Sequence, residues 1–305
     1  MKQVVVTAFG GVENLQVQTT AAGVDGSDLG PNEVVVNLTS IGMNQADLMA
    51  RRGKYRLSSG EPPFTPGIEG GGVIVAIGEE VSDRHINQRV VLSLGAPASI
   101  GTYRSQFVAL AADTIPVPKG INDNLIGALW LPFATAWGAL VWRQNMQPGE
   151  VVLLPAASSS VAIAASQIVK ARGGITIGTT TSPSKVTALQ NLPAAQYDYI
   201  VVTRNTAGNT NQPWWKTIKQ IAQANGKNRG VDVIFDPIAA GDFLHHEIRL
   251  LANGGTLWIY GLLGNPDTVD VSPLIRKDAA IRGWLLSALI GTSAEAEAYA
   301  HILKM

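Results

Sequence analysis

From residue 150 onward the chain alternates uniformly apolar runs with helical ones, and this alternation restricts the fold more than any other feature. VVLLPA leads into a helix over residues 160–171 and then ITIGTT. YIVVT leads into a polar helix over 214–225 and then VDVIFDP, and a helix over 243–251 precedes TLWIYGLLG. A strand with one wet face alternates apolar and polar residues. Strands that are apolar throughout are buried on both faces, so these belong to a parallel sheet with helices on either side. Open sheets of that kind bind ligands beyond the carboxyl ends of their strands. The turns AASSS, TTTSPSK, TRNTAG, DPIAAG and GLLGNP should therefore line one crevice. No internal repeat or low-complexity segment breaks the pattern.

The first 123 residues read differently. The short runs VVVTAF, VVVNLT, GVIVAIG and RVVLSL are separated by Gly, Pro and polar residues, the mark of an irregular, largely antiparallel sheet. A helical stretch, NLIGALWLPFATAWGALVWR, follows from Asn124 to Arg143 with Pro132 inside it. A proline there lacks an N–H and clashes with the preceding turn, so it should bend or divide the helix.

Composition removes several function classes. Lys plus Arg and Asp plus Glu are both 23, so net charge supplies no attraction for nucleic acid. With no cysteine, neither disulfides nor thiolate metal sites can form. The apolar run in MKQVVVTAFGG is too short for a signal peptide. No apolar run approaches the roughly 18 residues that span a membrane. A soluble, cytoplasmic protein is the expectation.

The segments IGMNQADLMARRGKY, PPFTPGIEGGGVIVAIG, LPFATAWGAL, PAASSSVAIAASQIVK, GVDVIFDP and LLANGGTLWIYG, in this order, resemble the medium-chain dehydrogenase/reductase superfamily, in its zinc-independent quinone oxidoreductase branch. The resemblance runs from the first strand to about Leu286. It implies an α/β chain with a GroES-like, mostly antiparallel β domain at 1–123. A Rossmann doubly wound parallel sheet domain would occupy 124–265, and 266–305 would complete the sheet and begin a shortened return. It further implies NADPH, metal-free hydride transfer to a quinone or α,β-unsaturated carbonyl compound, and a homodimer formed through the Rossmann sheet.

Against that family, the turn after VVLL lacks glycine: Ala157, Ser159 and Ala162 stand where glycines are usual. Those glycines serve a tight turn, close approach to pyrophosphate and close helix–strand packing. Alanine and serine are small, and Ser158, Ser159 and Ser160 bring hydroxyls. Ahead of Val161 the helix N-terminus still offers free N–H groups to phosphate. If any of these positions requires positive φ, a penalty of about 1–2 kcal/mol would oppose close approach. At the next strand end, Thr180 and Thr181 occupy the region where an NAD site carries a carboxylate. That absence, with the charge of Lys185, favours a 2′-phosphate and hence NADPH. The resemblance also places Thr135, Asp236, Gly261, Leu262 and Leu263 around the cofactor.

The four histidines have no partner at metal-ligand spacing. In zinc-dependent relatives a cysteine stands in place of Asn44 and a histidine in place of Ile68, with Glu69 shared; no zinc is expected. Without a metal, hydride transfer relies on orientation and hydrogen bonding. Asn44 can donate through its amide and Tyr55 through its hydroxyl, and both match positions near the nicotinamide and substrate. Two other readings remain open from the residues: a nucleotide-responsive regulatory protein with little turnover, and an interaction protein with a relict core.

Overall fold

The structure, a computed structural model, describes residues 1–19, 23–24, 26–55, 60–96, 100–204, 213–227, 230–265 and 267–305. The turn TRNTAG falls largely outside them. The chain divides into two compact units, Met1–Leu131 and Pro132–Met305.

In the first unit, β1 (Lys2–Val6) and β2 (Leu15–Thr19) form a two-stranded antiparallel ribbon. The main sheet contains β3 (Glu33–Ile41), β4 (Gly70–Ile77), β5 (Arg89–Leu92), β6 (Gln106–Leu110) and β7 (Thr114–Pro116), in the order β6-β3-β4-β5-β7. Every pairing within it is antiparallel. Val34, Val36, Ile74, Val90, Leu92 and Phe107 form its core, the inward face that alternation requires. The helix α1 (Gln45–Arg51) follows β3. Gly72 permits the tight β3–β4 pairing, since a Cβ there would stand 1.8 Å from the Asn37 carbonyl oxygen.

The second unit holds the parallel sheet. Its strands are β8 (Val151–Leu154), β9 (Ile175–Thr180), β10 (Tyr199–Val202), β11 (Val231–Asp236), β12 (Leu251–Ile259) and β13 (Ala280–Gly283). All five pairings are parallel, and the order is β10-β9-β8-β11-β12-β13. Numbered within the sheet this is 3-2-1-4-5-6, the doubly wound arrangement whose order reverses beside the first strand. The reversal puts the turns after β8 and β11 next to each other. Val151, Leu153, Ile177, Ile234 and Leu257 are wholly buried in the core, as expected of strands covered on both faces.

The covering helices are α3 (Ser160–Ala171), α4 (Ser184–Gln190), α5 (Trp214–Ala224) and α6 (Gly241–Leu250); α7 (Ser272–Ile275) and α8 (Ser293–Ile302) follow. The last helix is held by the Trp137 indole, which donates to His301 Nδ1 at 2.8 Å.

The stretch around Pro132 is divided, as expected, but ahead of the proline rather than at it. A 3-10 turn over Ile126–Ala128 precedes a separate helix, α2, that begins only at Trp130 and runs to Trp137. Pro132 therefore lies in a first turn, where its missing N–H has no intrahelical acceptor to lose. The geometry changes instead at Gly138, where a π-helical segment runs to Arg143. There the Trp284 ring packs so closely that a Cβ on Gly138 would meet it at 2.3 Å.

Candidate active site

In the first unit the site is a buried carboxylate network around Asn44. The β3–α1 junction places Asn44 just before the helix, in extended backbone. Its N–H donates to Asp47 Oδ2 at 2.9 Å, and its side-chain Nδ2 donates to Glu69 Oε1 at 2.9 Å. The second Glu69 oxygen accepts the Leu131 N–H at 3.0 Å, and the Tyr103 hydroxyl donates to Asp47 Oδ2 at 3.1 Å. Thr102 Oγ1 donates to the Glu69 carbonyl at 2.8 Å and holds that strand start in place. Asn44, Asp47 and Glu69 are all buried.

Burial dominates the electrostatics of this cluster. It pushes the Glu69 carboxyl up to about 7, against the hydrogen bonds from Asn44 and Leu131. Asp47 rises to about 6 for the same reason, and burial lifts the Tyr103 phenol too. Gly42 leaves the space: a Cβ there would stand 2.0 Å from Glu69 Oε1. Tyr55 is half-buried just after α1, and burial raises its phenol. Sequence reasoning singled out Asn44 but gave no role to Asp47, Glu69 or Tyr103. An acid three residues after an N-cap asparagine was the available signal for Asp47. Tyr103 lies 56 residues further along and had none.

In the second unit the strand-end turns gather most of the residues expected at a cofactor. Ser159 caps α3, its hydroxyl accepting the Ala162 N–H at 3.2 Å, with φ −77°. The single left-handed residue of this turn is Ala156, at φ 51°. Positions 157, 159 and 162, where glycines were expected, therefore need no positive φ. Among the described residues the N–H groups of Ser160 and Val161 meet no acceptor. Ala157 is buried rather than presented to the crevice: its N–H donates to the Thr179 carbonyl, and its carbonyl accepts the Tyr197 hydroxyl, each at 2.8 Å. Gly178 admits this packing, because a Cβ there would lie 2.8 Å from the Tyr197 ring and 2.9 Å from the Ala157 methyl.

Lys185 Nζ donates to Ser158 Oγ at 3.1 Å, so the lysine of α4 lies against the turn after β8. Thr180 is buried and accepts the Ser182 N–H at 3.2 Å, while Thr181 is exposed. Asp236, wholly buried at the end of β11, accepts the N–H groups of Ile238 at 2.7 Å and Ala239 at 2.6 Å. The turn it organises is tied to the next one: Leu263 N–H donates to the Pro237 carbonyl, and Gly264 N–H to the Ile238 carbonyl. Gly261 approaches Pro237 too closely for any side chain, and Leu262 and Leu263 are exposed beside it. Thr135 is buried on the Trp130–Trp137 helix, and its carbonyl accepts the Trp284 indole at 2.9 Å.

These turns fit a dinucleotide on three counts. Two orphaned N–H groups at the start of a twelve-residue helix suit a pyrophosphate. A lysine is already held against the turn by Ser158. No carboxylate stands at residues 180–185 to repel a 2′-phosphate.

Known proteins agree with this architecture. A zinc-binding dehydrogenase family model matches residues 160–304, and an alcohol dehydrogenase GroES-like domain model matches residues 30–119. The human synaptic vesicle membrane protein VAT-1 homolog is 32% identical over 264 residues, covering 86% of this chain and 61% of that protein. The chain thus spans less than two thirds of that relative's length. Mouse quinone oxidoreductase is 29% identical over 314 residues, covering 100% of this chain and 85% of that one. The crystal structure of Escherichia coli quinone oxidoreductase complexed with NADPH superposes with a TM-score of 0.80 at 24% identity, covering 100% of this chain and 87% of that one. Despite the first model's name, Asn44 and Ile68 offer no metal ligands, and no cluster of three His, Asp or Glu side chains suited to a metal occurs among the described residues. The chain belongs to the medium-chain dehydrogenase/reductase superfamily, in its zinc-independent quinone-oxidoreductase-like branch.

Proposed function

We propose that the protein is an NADPH-dependent reductase of quinones or α,β-unsaturated carbonyl compounds, working without metal. One observation carries the reading: the orphaned N–H pair at the start of α3, with Lys185 held by Ser158 and no carboxylate at the end of β9. Residues 1–123 form the catalytic part and 124–265 the cofactor part, with 266–305 completing the sheet. Ser158, Ser159, Ser160 and Val161 hold the pyrophosphate, and Lys185 with Thr180 and Thr181 receives the 2′-phosphate. Asp236 and the 261–263 turn shape the nicotinamide side, together with Thr135, while Ala157 supports the turn from within. When bound, NADPH supplies the hydride.

The chain's own work is orientation and charge stabilisation. Reduction of a quinone or enone builds negative charge on a carbonyl oxygen, and a fixed donor lowers the cost of that charge. One N–H of the Asn44 amide is committed to Glu69, which fixes the side chain and leaves the second N–H to donate. The Tyr55 phenol, kept protonated by burial, is the second donor and passes a proton to the product. Asp47 and Glu69 hold Asn44 and do not meet substrate. The substrate is a small organic molecule, and neither nucleic acid nor membrane is a partner. Among the described residues no helix is long and apolar enough to cross a membrane, which is consistent with cytoplasmic placement. Strand β13 ends the sheet, and Leu285 and Ile290 are exposed just beyond it, which supports a homodimer.

The test is NADPH oxidation followed at its absorbance band against a panel of small quinones, enones and aldehydes. Turnover with a quinone or an enone is expected. Tight NADPH binding with no turnover on any member would leave a regulatory protein in its place.

A further inference from the structure

Beneath the β11 turn lie two acids that have no cationic partner among the described residues. Asp236 and Glu247 are both 0% exposed. Glu247 sits on α6, on the face turned to the sheet, and neither of its oxygens meets an N–H or O–H donor of another group. Its hydrogen-bonding neighbour is the Asp236 carboxyl. Two carboxyls bond to each other only through a proton that one of them holds. Asp236 already accepts two backbone N–H groups, which stabilise its negative charge. Glu247 has no such support, so the proton resides there.

The other titratable groups do not relieve this pair. On α6, Arg249 turns to Asp270 at 3.4 Å and His246 stacks on Trp215. Asp242 and His245 belong to the same helix, and the buried Tyr260 phenol, at the end of the neighbouring strand, feels the charge of Asp236 and supplies no cation. Burial and the neighbouring Asp236 both hold Glu247 in its neutral form.

We propose that Glu247 is a positioning residue: its neutral carboxyl donates to the Asp236 carboxylate and so holds the turns at 237–240 and 261–264 in the form that receives the dinucleotide. The chain of contacts is continuous. Glu247 steadies Asp236; Asp236 binds the amides of Ile238 and of Ala239, which stands at φ 53°. The carbonyls of Pro237 and Ile238 then bind the amides of Leu263 and Gly264. Left-handed backbone at an alanine persists only where its surroundings hold it. The dinucleotide part of this inference rests on the function proposed above.

Three forms test it: wild type, Glu247→Gln, which keeps a neutral donor, and Glu247→Leu, which has none. In denaturant unfolding without ligand from pH 5 to 9, the folded wild type keeps a proton that the unfolded chain releases. The Gln variant should therefore gain on wild type by up to about tenfold in folding constant per pH unit. Amide exchange at Ile238, Ala239, Leu263 and Gly264 should accelerate in Glu247→Leu and stay near wild type in Glu247→Gln, and NADPH affinity should follow the same order. Parallel pH curves for wild type and Glu247→Gln would overturn the shared proton. Unchanged exchange in a folded Glu247→Leu would overturn the positioning role. Should the Leu variant fail to fold, wild-type exchange at rising pH, corrected for the intrinsic rate of each amide, decides: protection lost at these four amides alone supports the latch, and protection retained there overturns it. Should wild type bind no NADPH, the cofactor reading falls, while the unfolding and exchange measurements still judge the pair.

Discussion

Lys185 and Glu69 show how single side chains gain meaning from their partners. A lysine on an exposed helix is ordinarily solvated, but this one donates to Ser158 at the turn after β8. Lys185→Ala should weaken NADPH binding while leaving NADH binding nearly unchanged. A charge-assisted bond sets a ceiling of roughly 1.5–3 kcal/mol, lowered here by exposure. Titration calorimetry with both cofactors checks this, and equal losses for the two would remove the selectivity argument. Glu69 makes a separate prediction about pH. Its folded pKa, about 7, lies above the ordinary 4.5. The folded state therefore retains a proton that the unfolded state loses, and stability should fall as pH rises from about 4.5 to about 7. Glu69→Gln should flatten that fall, by on the order of 3 kcal/mol at roughly 1.4 kcal/mol per pH unit. Chemical denaturation across this range measures it; an unchanged slope would mean that Glu69 is ionised throughout.

At the scale of elements, the turn between β8 and α3 replaces glycine without needing its backbone freedom. Ser159 caps the helix at an ordinary extended conformation, and Gly178 makes room on β9 for the methyl of Ala157. The strained position is Ala156, at φ 51°. Ala156→Gly should raise stability by about 0.5–1 kcal/mol, the left-handed penalty being partly offset by the greater freedom of glycine in the unfolded chain. Ser159→Gly gains nothing and loses a few tenths through the missing cap. Thermal unfolding of the two variants separates these cases, and a stabilised Ser159→Gly would show that the strain lies elsewhere in the turn.

For the whole molecule, the central expectation is a protein whose activity is indifferent to metal. It follows from ligand chemistry: no cysteine, Asn44 and Ile68 at the positions of zinc ligands in relatives, and Glu69 engaged by Asn44 and Leu131. Elemental analysis should find no stoichiometric zinc, and a chelator should leave NADPH oxidation unchanged. One zinc per chain with loss of activity on chelation would contradict the assignment of Asn44 as a donor.

The parallel sheet, the antiparallel first unit and the strand-end turns were legible in the sequence because they depend on local periodicity. An apolar run such as VVLL has one low-energy home, between two helical layers, wherever it sits in the chain. The glycine-free turn was legible as a helix start because small polar residues follow an apolar strand there, whereas the capping role of Ser159 came from the structure. Pro132 was read as a break, but the sequence did not show on which side of it the helix begins, and the structure places that start at Trp130. The ties between distant side chains had no local signature. Tyr103 reaches Asp47 across 56 positions, and Tyr197 reaches the Ala157 carbonyl across 40. A charged residue in a sequence looks solvated until the fold removes its water. Only the tertiary structure could therefore decide that Glu69 and Glu247 are buried, and burial is what moves a carboxyl away from its ordinary ionisation.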